Sequence, residues 1–235
     1  MELNKIYNTD CLDLMRGGWL DNSVDLVLTD PPYKFEWHGR WMAGHRKYLK
    51  EWMTTIWTNL NTEIYTDEFM DMLMKITKAP NMIFFCNKAQ VPEILEQAKK
   101  NWLNFDILVL CKTAPTPLCN NQWLPDRERA IHLFKNAKVR WDYHTKRWFR
   151  VAPNYKTKDI DHPTVKPLSV IKQMIENCTD EWWVVFDPYM WSWTTAVACK
   201  ELNRNFIWCE INPKYCEIAE KRLSNTMHEQ TLFNI

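Results

Sequence analysis

The stretch SVDLVLTDPPY (residues 23–33) decides how this chain is read. Its first seven residues form an apolar run of strand length, and Asp30-Pro31-Pro32-Tyr33 ends that run abruptly. Consecutive prolines hold the backbone extended and remove two N–H donors, so carbonyl oxygens are left to accept. An acid, an oriented carbonyl and an aromatic face are thereby fixed together at the carboxyl end of a strand. That trio suits a planar base bearing an exocyclic amine: Asp30 and the Pro31 carbonyl accept its hydrogens, and Tyr33 stacks on the ring. An isolated Pro-Pro would read as a rigid turn and no more. Its place directly after a strand argues for chemistry.

Working outward, six further strand-like runs appear: NKIYN (4–8), NMIFFC (81–86), FDILVLC (105–111), AIHLF (130–134), WVVFD (183–187) and NFIWCEI (205–211). Helical patterns lie between them over 68–77, 91–100, 167–178, 194–202 and 213–223, the last with Asn212 as N-cap and Pro213 at its first position. The alternation predicts an α/β fold, one doubly wound domain over 1–235, with ligands at the carboxyl ends of the strands where strand order reverses.

Two more clusters fall where such a fold puts its ligands. DPYMWSWTT (187–195) follows a strand and opens a helix, so backbone N–H groups and the hydroxyls of Ser192, Thr194 and Thr195 can receive the charged end of a ligand. Glu210 ends the next strand, the usual place for an acid that hydrogen-bonds a ribose. His162-Pro163-Thr164-Val165-Lys166-Pro167 precedes a helix and by itself is a stiff connector.

A net charge of +1 excludes a generally basic coat protein, yet the charge is unevenly spread. Residues 126–158 carry ten Lys and Arg against three acids, and residues 34–50 carry five against one. Each segment alone also reads as a charged surface loop, but together they point to a polyanion on one face. The eight cysteines include no C-x-x-C pair, which reads as scattered reduced thiols with no metal site. The amino terminus is mixed and charged, and no apolar run approaches the roughly 18 residues of a spanning helix. A soluble cytoplasmic protein without membrane contact is expected.

In this combination and order the motifs resemble those of the amino-methylating DNA methyltransferases that use S-adenosylmethionine, in the permuted order called the beta class. There D-P-P-Y comes first, a target-recognition region lies mid-chain, and H-P-T-x-K-P and D-P-F-x-G-S-G-T-T follow. The resemblance runs from NTDCLDLM to EIAEKRL, nearly the whole chain. It implies a seven-stranded, Rossmann-like sheet, mostly parallel with one antiparallel strand. The catalytic-motif half is then 1–135, a recognition insertion 136–161 and the cofactor-motif half 162–235.

Carried over by position, the resemblance makes Asp30, Pro31, Pro32 and Tyr33 the catalytic loop. It makes Asp187, Trp191, Ser192, Trp193, Thr194, Thr195 and Glu210 cofactor contacts. Asp10 and Cys11 match the place where the family meets the cofactor's adenine, and His162, Thr164 and Lys166 the segment beside its methionine moiety. The implied reaction is attack of an amino nitrogen on the sulfonium methyl, for which positioning matters more than strong base catalysis. A target in duplex DNA must be flipped out, and the stretch holding Arg40, Arg46 and Lys47 is placed to fill the gap or hold the backbone. Arg140, Lys146, Arg147 and Arg150 are the implied base or phosphate contacts. So small a reader implies a short recognition site or a second subunit, as in a homodimer. Adenine N6 is favoured because the motif opens on Asp where the cytosine enzymes more often carry Ser; cytosine N4 is the alternative. Restriction–modification is the implied setting.

The chain departs from the family pattern in one way. It has 4 glycines and 14 tryptophans, where ordinary usage gives about 16 glycines at this length. Trp191, Trp193 and Trp208 stand where the pattern has glycine, and Trp102, Trp141, Trp148, Trp182 and Trp183 lie in turn-like contexts where glycine reads naturally. An indole has a surface on the order of 200 Å², so taken literally the cofactor loop should bind poorly. One explanation is a catalytically dead chain that keeps only DNA binding, although filling one pocket would not deplete glycine everywhere. The other is a gene whose UGA codons mean glycine but are read as tryptophan, sparing Gly17, Gly18, Gly39 and Gly44.

Overall fold

The computed structural model describes residues 2–34, 64–113, 126–137, 139, 148–151, 166–190, 194–213, 215–217 and 219–220. Its strands are β1 (Lys5–Tyr7), β2 (Leu26–Thr29), β3 (Asn81–Cys86), β4 (Asn104–Lys112), β5 (Arg127–Phe134), β6 (Trp148–Val151), β7 (Val184–Asp187) and β8 (Asn205–Cys209). Its helices are α1 (Cys11–Arg16), α2 (Asp67–Ile76), α3 (Val91–Lys100), α4 (Leu168–Cys178) and α5 (Thr194–Glu201). A further helical stretch starts at 213, where the Asn212 carbonyl accepts the Cys216 N–H at 3.2 Å.

The strands form one sheet in the order β1-β8-β7-β2-β3-β5-β4-β6. All seven expected strands are present, and β5 alone runs against its neighbours β3 and β4. The expected count is short by one. β6 adds an eighth strand parallel to β4, pairing Val109 with Trp148 through Lys112 with Val151. Its four residues, WFRV, are too few to show an alternation and lie in the basic segment read as the recognition insertion; only the exposed edge of β4 makes them a strand.

β2 and β3 are buried along their whole length, so LVLT and NMIFFC carry no polar face. Helices cover both sides, as a central parallel strand requires. On one face Leu26, Leu28, Ile83 and Val185 meet Val170, Ile171 and Met174 of α4 and Ala196 and Cys199 of α5. On the other, Val27, Met82, Phe84 and Phe186 meet Met15, Phe69, Leu73, Ile94 and Ala98 of α1, α2 and α3. α2 starts where Thr66 Oγ1 accepts the Phe69 N–H, with Asp67 and Glu68 in the first turn and Lys75 in the last, each matched to the helix dipole. The described cysteines are free thiols, six of them buried and Cys111 half-buried. Among the described residues, no helix is long and apolar enough to cross a membrane.

Two of the tryptophans in turn contexts adopt left-handed backbone conformations, Trp102 at φ 55° and Trp182 at φ 67°. Among the described residues, the other non-glycine residues with positive φ are Asn4, Asn22, Asn136 and Asn203, and asparagine tolerates that region where bulky residues do not. Trp102 ends α3: its N–H bonds the Lys99 carbonyl at 3.3 Å and the Leu103 N–H bonds the Ala98 carbonyl at 2.9 Å. That pair of bonds is a Schellman ending, whose left-handed position glycine usually fills. The Trp102 and Trp182 side chains are 83% and 69% exposed, so little packing repays the strain. Trp102→Gly and Trp182→Gly should therefore each stabilise the fold by about 1 kcal/mol. A urea titration of each variant checks this, and a lower midpoint would show that the indoles make stabilising contacts.

Trp208 behaves differently. It is fully buried on the α4 and α5 side, stacked on Phe206 at 4.4 Å, and its Nε1 has no hydrogen-bond partner among the described residues. Although 208 is a glycine position in the family pattern, the strand's alternation turns this indole into the core. An unpaired buried N–H still costs about 1–3 kcal/mol.

Candidate active site along the carboxyl edge

Parallel pairing of β1, β8, β7, β2 and β3 brings their carboxyl ends to one edge of the sheet. Asp10 follows β1, Glu210 follows β8, Asp187 closes β7, Asp30 follows β2 and Asn87 follows β3. Residues up to 200 positions apart thus form one row, with the reversal of strand order between β7 and β2.

Asp30 is largely enclosed, its side chain 11% exposed. Its Oδ2 lies 2.8 Å from Lys166 Nζ, which also donates to the Tyr33 hydroxyl at 2.8 Å. Its Oδ1 is buried and has no hydrogen-bond partner among the described residues. Lys166 Nζ sits 5.3 Å from the centre of the Tyr33 ring and 5.1 Å from that of Phe85. Burial alone would lower the pKa of Lys166, but the neighbouring charges of Asp30 and Glu128 outweigh it and hold the group as an ammonium. Burial likewise keeps Tyr33 a neutral phenol.

The turn is held from behind. Gln90 Nε2 donates to the Pro32 carbonyl at 2.9 Å, and Asn87 Nδ2 to the Lys34 carbonyl at 2.5 Å. Gln90 is itself 1% exposed, so the Asp30–Tyr33 turn is anchored on the start of α3. Glu128 on β5 completes the surroundings, 3.7 Å from Lys166 and 2.6 Å from Lys112. Partial burial pushes its carboxyl up, yet the two lysines hold it below the usual range.

Asp187 presents little to a ligand, being 3% exposed. It accepts the Thr29 hydroxyl at 2.6 Å and the Tyr189 N–H at 3.1 Å, fastening the end of β7 to the end of β2. Burial pushes its carboxyl up to about 8. Thr194 and Thr195 open α5 and are buried behind it.

On the far side of the row Asp10 is exposed and caps α1, its Oδ1 accepting the Leu12 N–H at 2.8 Å. Cys11 is buried and its thiol is pushed up to about 12 by burial, so it is a packing residue and no nucleophile. Glu210 is half-buried, with Oε1 accepting the Asn212 N–H at 2.7 Å. Burial raises its pKa. Accessible carboxylates at the ends of neighbouring strands, with the orphaned Asp30 Oδ1 further along, suit a ligand offering hydroxyl or amine hydrogens.

Lys166, which the family resemblance put beside a cofactor, is therefore in contact with Asp30 and Tyr33. His162, Thr164, Trp191, Ser192 and Trp193 lie outside the described residues, as do Arg40, Arg46, Lys47, Arg140, Lys146 and Arg147. Arg150 is on β6, its backbone opposite Cys111. Sequence reasoning missed Asn87, Gln90 and Glu128. The first two follow a buried strand directly, which is the signal that could have found them; Glu128 showed only as one of few acids in a basic segment.

Residues 24–221 match a family described as DNA methylase, of the N6/N4 type. The Type II methyltransferase M2.DpnII of Streptococcus pneumoniae is 40% identical over 225 residues, covering 86% of this chain and 82% of that protein. The Type II methyltransferase M1.MboII of Moraxella bovis is 27% identical over 266 residues, covering 93% of this chain and 96% of that one. Among solved structures, the M1.HpyAVI–SAM complex aligns with TM-score 0.70 at 24% identity, over 93% of this chain and 98% of that one. The cytosine-N4-specific PvuII DNA methyltransferase aligns with TM-score 0.68 at 12% identity, over 94% and 86%. At those identities the structural likeness is one of fold. The methyltransferase names of the relatives give the reading of a catalytically dead DNA binder no support.

Proposed function

The chain belongs to the N6/N4 family of DNA methylases, and from that premise we propose that it transfers a methyl group from S-adenosylmethionine to the N6 amine of an adenine flipped out of DNA. The observation that carries this reading is Asp30, whose Oδ1 is buried and unpartnered in the turn that follows β2 and leads to Tyr33. A flipped base stacked on Tyr33 donates one amine hydrogen to Asp30, which turns the nitrogen lone pair toward the cofactor side of the row. The cofactor, when bound, supplies an electrophilic sulfonium methyl. Asp10 and Glu210 would hold its nucleoside end, with Cys11 packed below; Thr194, Thr195 and Ser192, with His162 and Thr164, would hold its amino-acid end. Asp187 positions the loop between them. The amine loses its proton after the methyl arrives, so orientation contributes more than base strength.

The basic segments, with Arg40, Arg46 and Lys47 in one and Arg140, Lys146, Arg147 and Arg150 in the other, supply phosphate and base contacts. Adenine is preferred over cytosine because the catalytic motif opens on Asp30. Sequencing modified bases in the DNA of cells expressing the Trp191→Gly, Trp193→Gly chain tests the whole reading. N6-methyladenine confined to one short motif is the expected result. N4-methylcytosine at one motif would replace the base assignment, and unmodified DNA beside a folded protein would overturn the function.

A further inference from the structure

Tyr65, two residues before α2, ends in a hydroxyl with nothing to bond. The residue is 6% exposed, and its oxygen is buried without a hydrogen-bond partner among the described residues. A buried tyrosine hydroxyl normally finds a partner, and phenylalanine would fill the same space without stranding one. The side chain is held in place: its ring stands edge-on to Phe84 of β3 at 5.6 Å, and Gln97 Nε2 of α3 donates to the Tyr65 carbonyl at 3.0 Å. Four residues on, Phe69 meets the Tyr189 ring at 5.9 Å, so the start of α2 lies against the carboxyl edge of the sheet. The neighbours of the hydroxyl belong to the candidate site. Of the ionisable groups that act on it, Cys86 at the end of β3 and Asp30 are the strongest, followed by Tyr189 and Tyr33. Burial keeps it a neutral phenol, so it remains a donor. Asp30 Oδ1 is the other buried, unpartnered side-chain atom at this edge among the described residues, and it is an acceptor. A lone donor and a lone acceptor thus belong to one site without bonding each other.

We propose that Tyr65 contacts the substrate, its hydroxyl donating to the ring nitrogen next to the target amine while Asp30 accepts an amine hydrogen. An amine beside a bare ring nitrogen is the edge that adenine presents, with N1 on one side of N6 and N7 on the other, and that cytosine presents at N3. Guanine and thymine carry a carbonyl oxygen where the amine belongs, with an N–H beside it on the pairing edge. Against them Asp30 would face an oxygen and the Tyr65 hydroxyl a donor, so the pair selects amino bases. Two hydrogen bonds also stop the ring from turning in its own plane, which keeps the amine nitrogen aimed at the methyl group. The hydroxyl left unpaired in the base-free protein is then reserved for the base. The inference rests on the methyltransferase reading of the site.

The test uses Tyr65→Phe, which removes one oxygen and no packing. In the otherwise unaltered chain its urea midpoint should equal or exceed that of the parent, since the hydroxyl has no partner to lose. A lower midpoint would assign the hydroxyl to the fold and overturn the proposal. Turnover is measured in the Trp191→Gly, Trp193→Gly background on a duplex carrying the methylated motif. There Tyr65→Phe should lower kcat/KM for DNA about fivefold to tenfold, the usual worth of one neutral hydrogen bond, with S-adenosylmethionine affinity by calorimetry unchanged. Duplexes with 1-deazaadenine or 7-deazaadenine at the target position identify the nitrogen: one of them should cost the background chain the same factor and cost Tyr65→Phe nothing further. An unchanged kcat/KM in Tyr65→Phe would overturn the contact, as would losses from the variant and from both analogues that simply multiply. A fall in cofactor affinity matching the fall in kcat/KM would also overturn it, by moving the hydroxyl to the methyl donor. Failure of the background chain to methylate any DNA would instead overturn the reading of the site itself.

Discussion

Replacing Trp191 and Trp193 together with glycine is expected to raise affinity for S-adenosylmethionine by about a hundredfold or more. The expectation takes about 1–2 kcal/mol for each bulky residue standing where the family pattern has glycine, the residue that adopts a left-handed backbone without cost, with 1.4 kcal/mol per factor of ten. Steric exclusion by two indoles adds to it. Calorimetry with the cofactor alone measures the effect without reference to DNA. Equal affinity before and after would sink the steric reading of the loop. The codons give an independent check: UGG at 191, 193 and 208 would rule out glycine as the encoded residue, whereas UGA there and at 102 and 182 would account for the left-handed tryptophans as well.

In that glycine background, Asp30→Ala is expected to lower kcat by about 10²- to 10³-fold, the usual cost of losing one preorganised polar contact to the reacting group. Cofactor affinity should stay within about twofold, since Asp10 and Glu210 lie further along the row. DNA binding should persist as well, because the basic segments proposed to carry it are untouched. Lys166 is not stranded by the change, as Glu128 remains 3.7 Å away, so the variant should fold. A kcat within threefold of the parent would mean that the amine is oriented by some other acceptor. A matching fall in cofactor affinity would place Asp30 on the methyl-donor side of the site.

The parts of the fold that could be read from the sequence are those whose burial leaves a one-dimensional trace. β2 and β3 lie under helices on both faces, so their apolar runs are unbroken; α2 carries its cap, acids and lysine in chain order. The Asp30 turn was legible because prolines act locally. β6 was not, since a four-residue strand at an edge depends on a partner about forty residues away in the chain. The contact between Lys166 and Asp30 spans 136 positions and leaves no local pattern at all. Trp208 was named only as standing at a glycine position, and the strand's alternation is what puts its side chain in the core.

The bond between Thr29 and Asp187 has a wider meaning. The loops assigned to the base and to the cofactor sit at the ends of β2 and β7, which are hydrogen-bonded neighbours with Val27 opposite Phe186. Their separation is therefore governed by the spacing of adjacent strands, about 4.8 Å, a length that no surface substitution changes. The sheet serves as a ruler for the reaction distance. In the proposed reaction, loops around it could diverge to read new DNA sequences while nucleophile and methyl group still met at the same gauge.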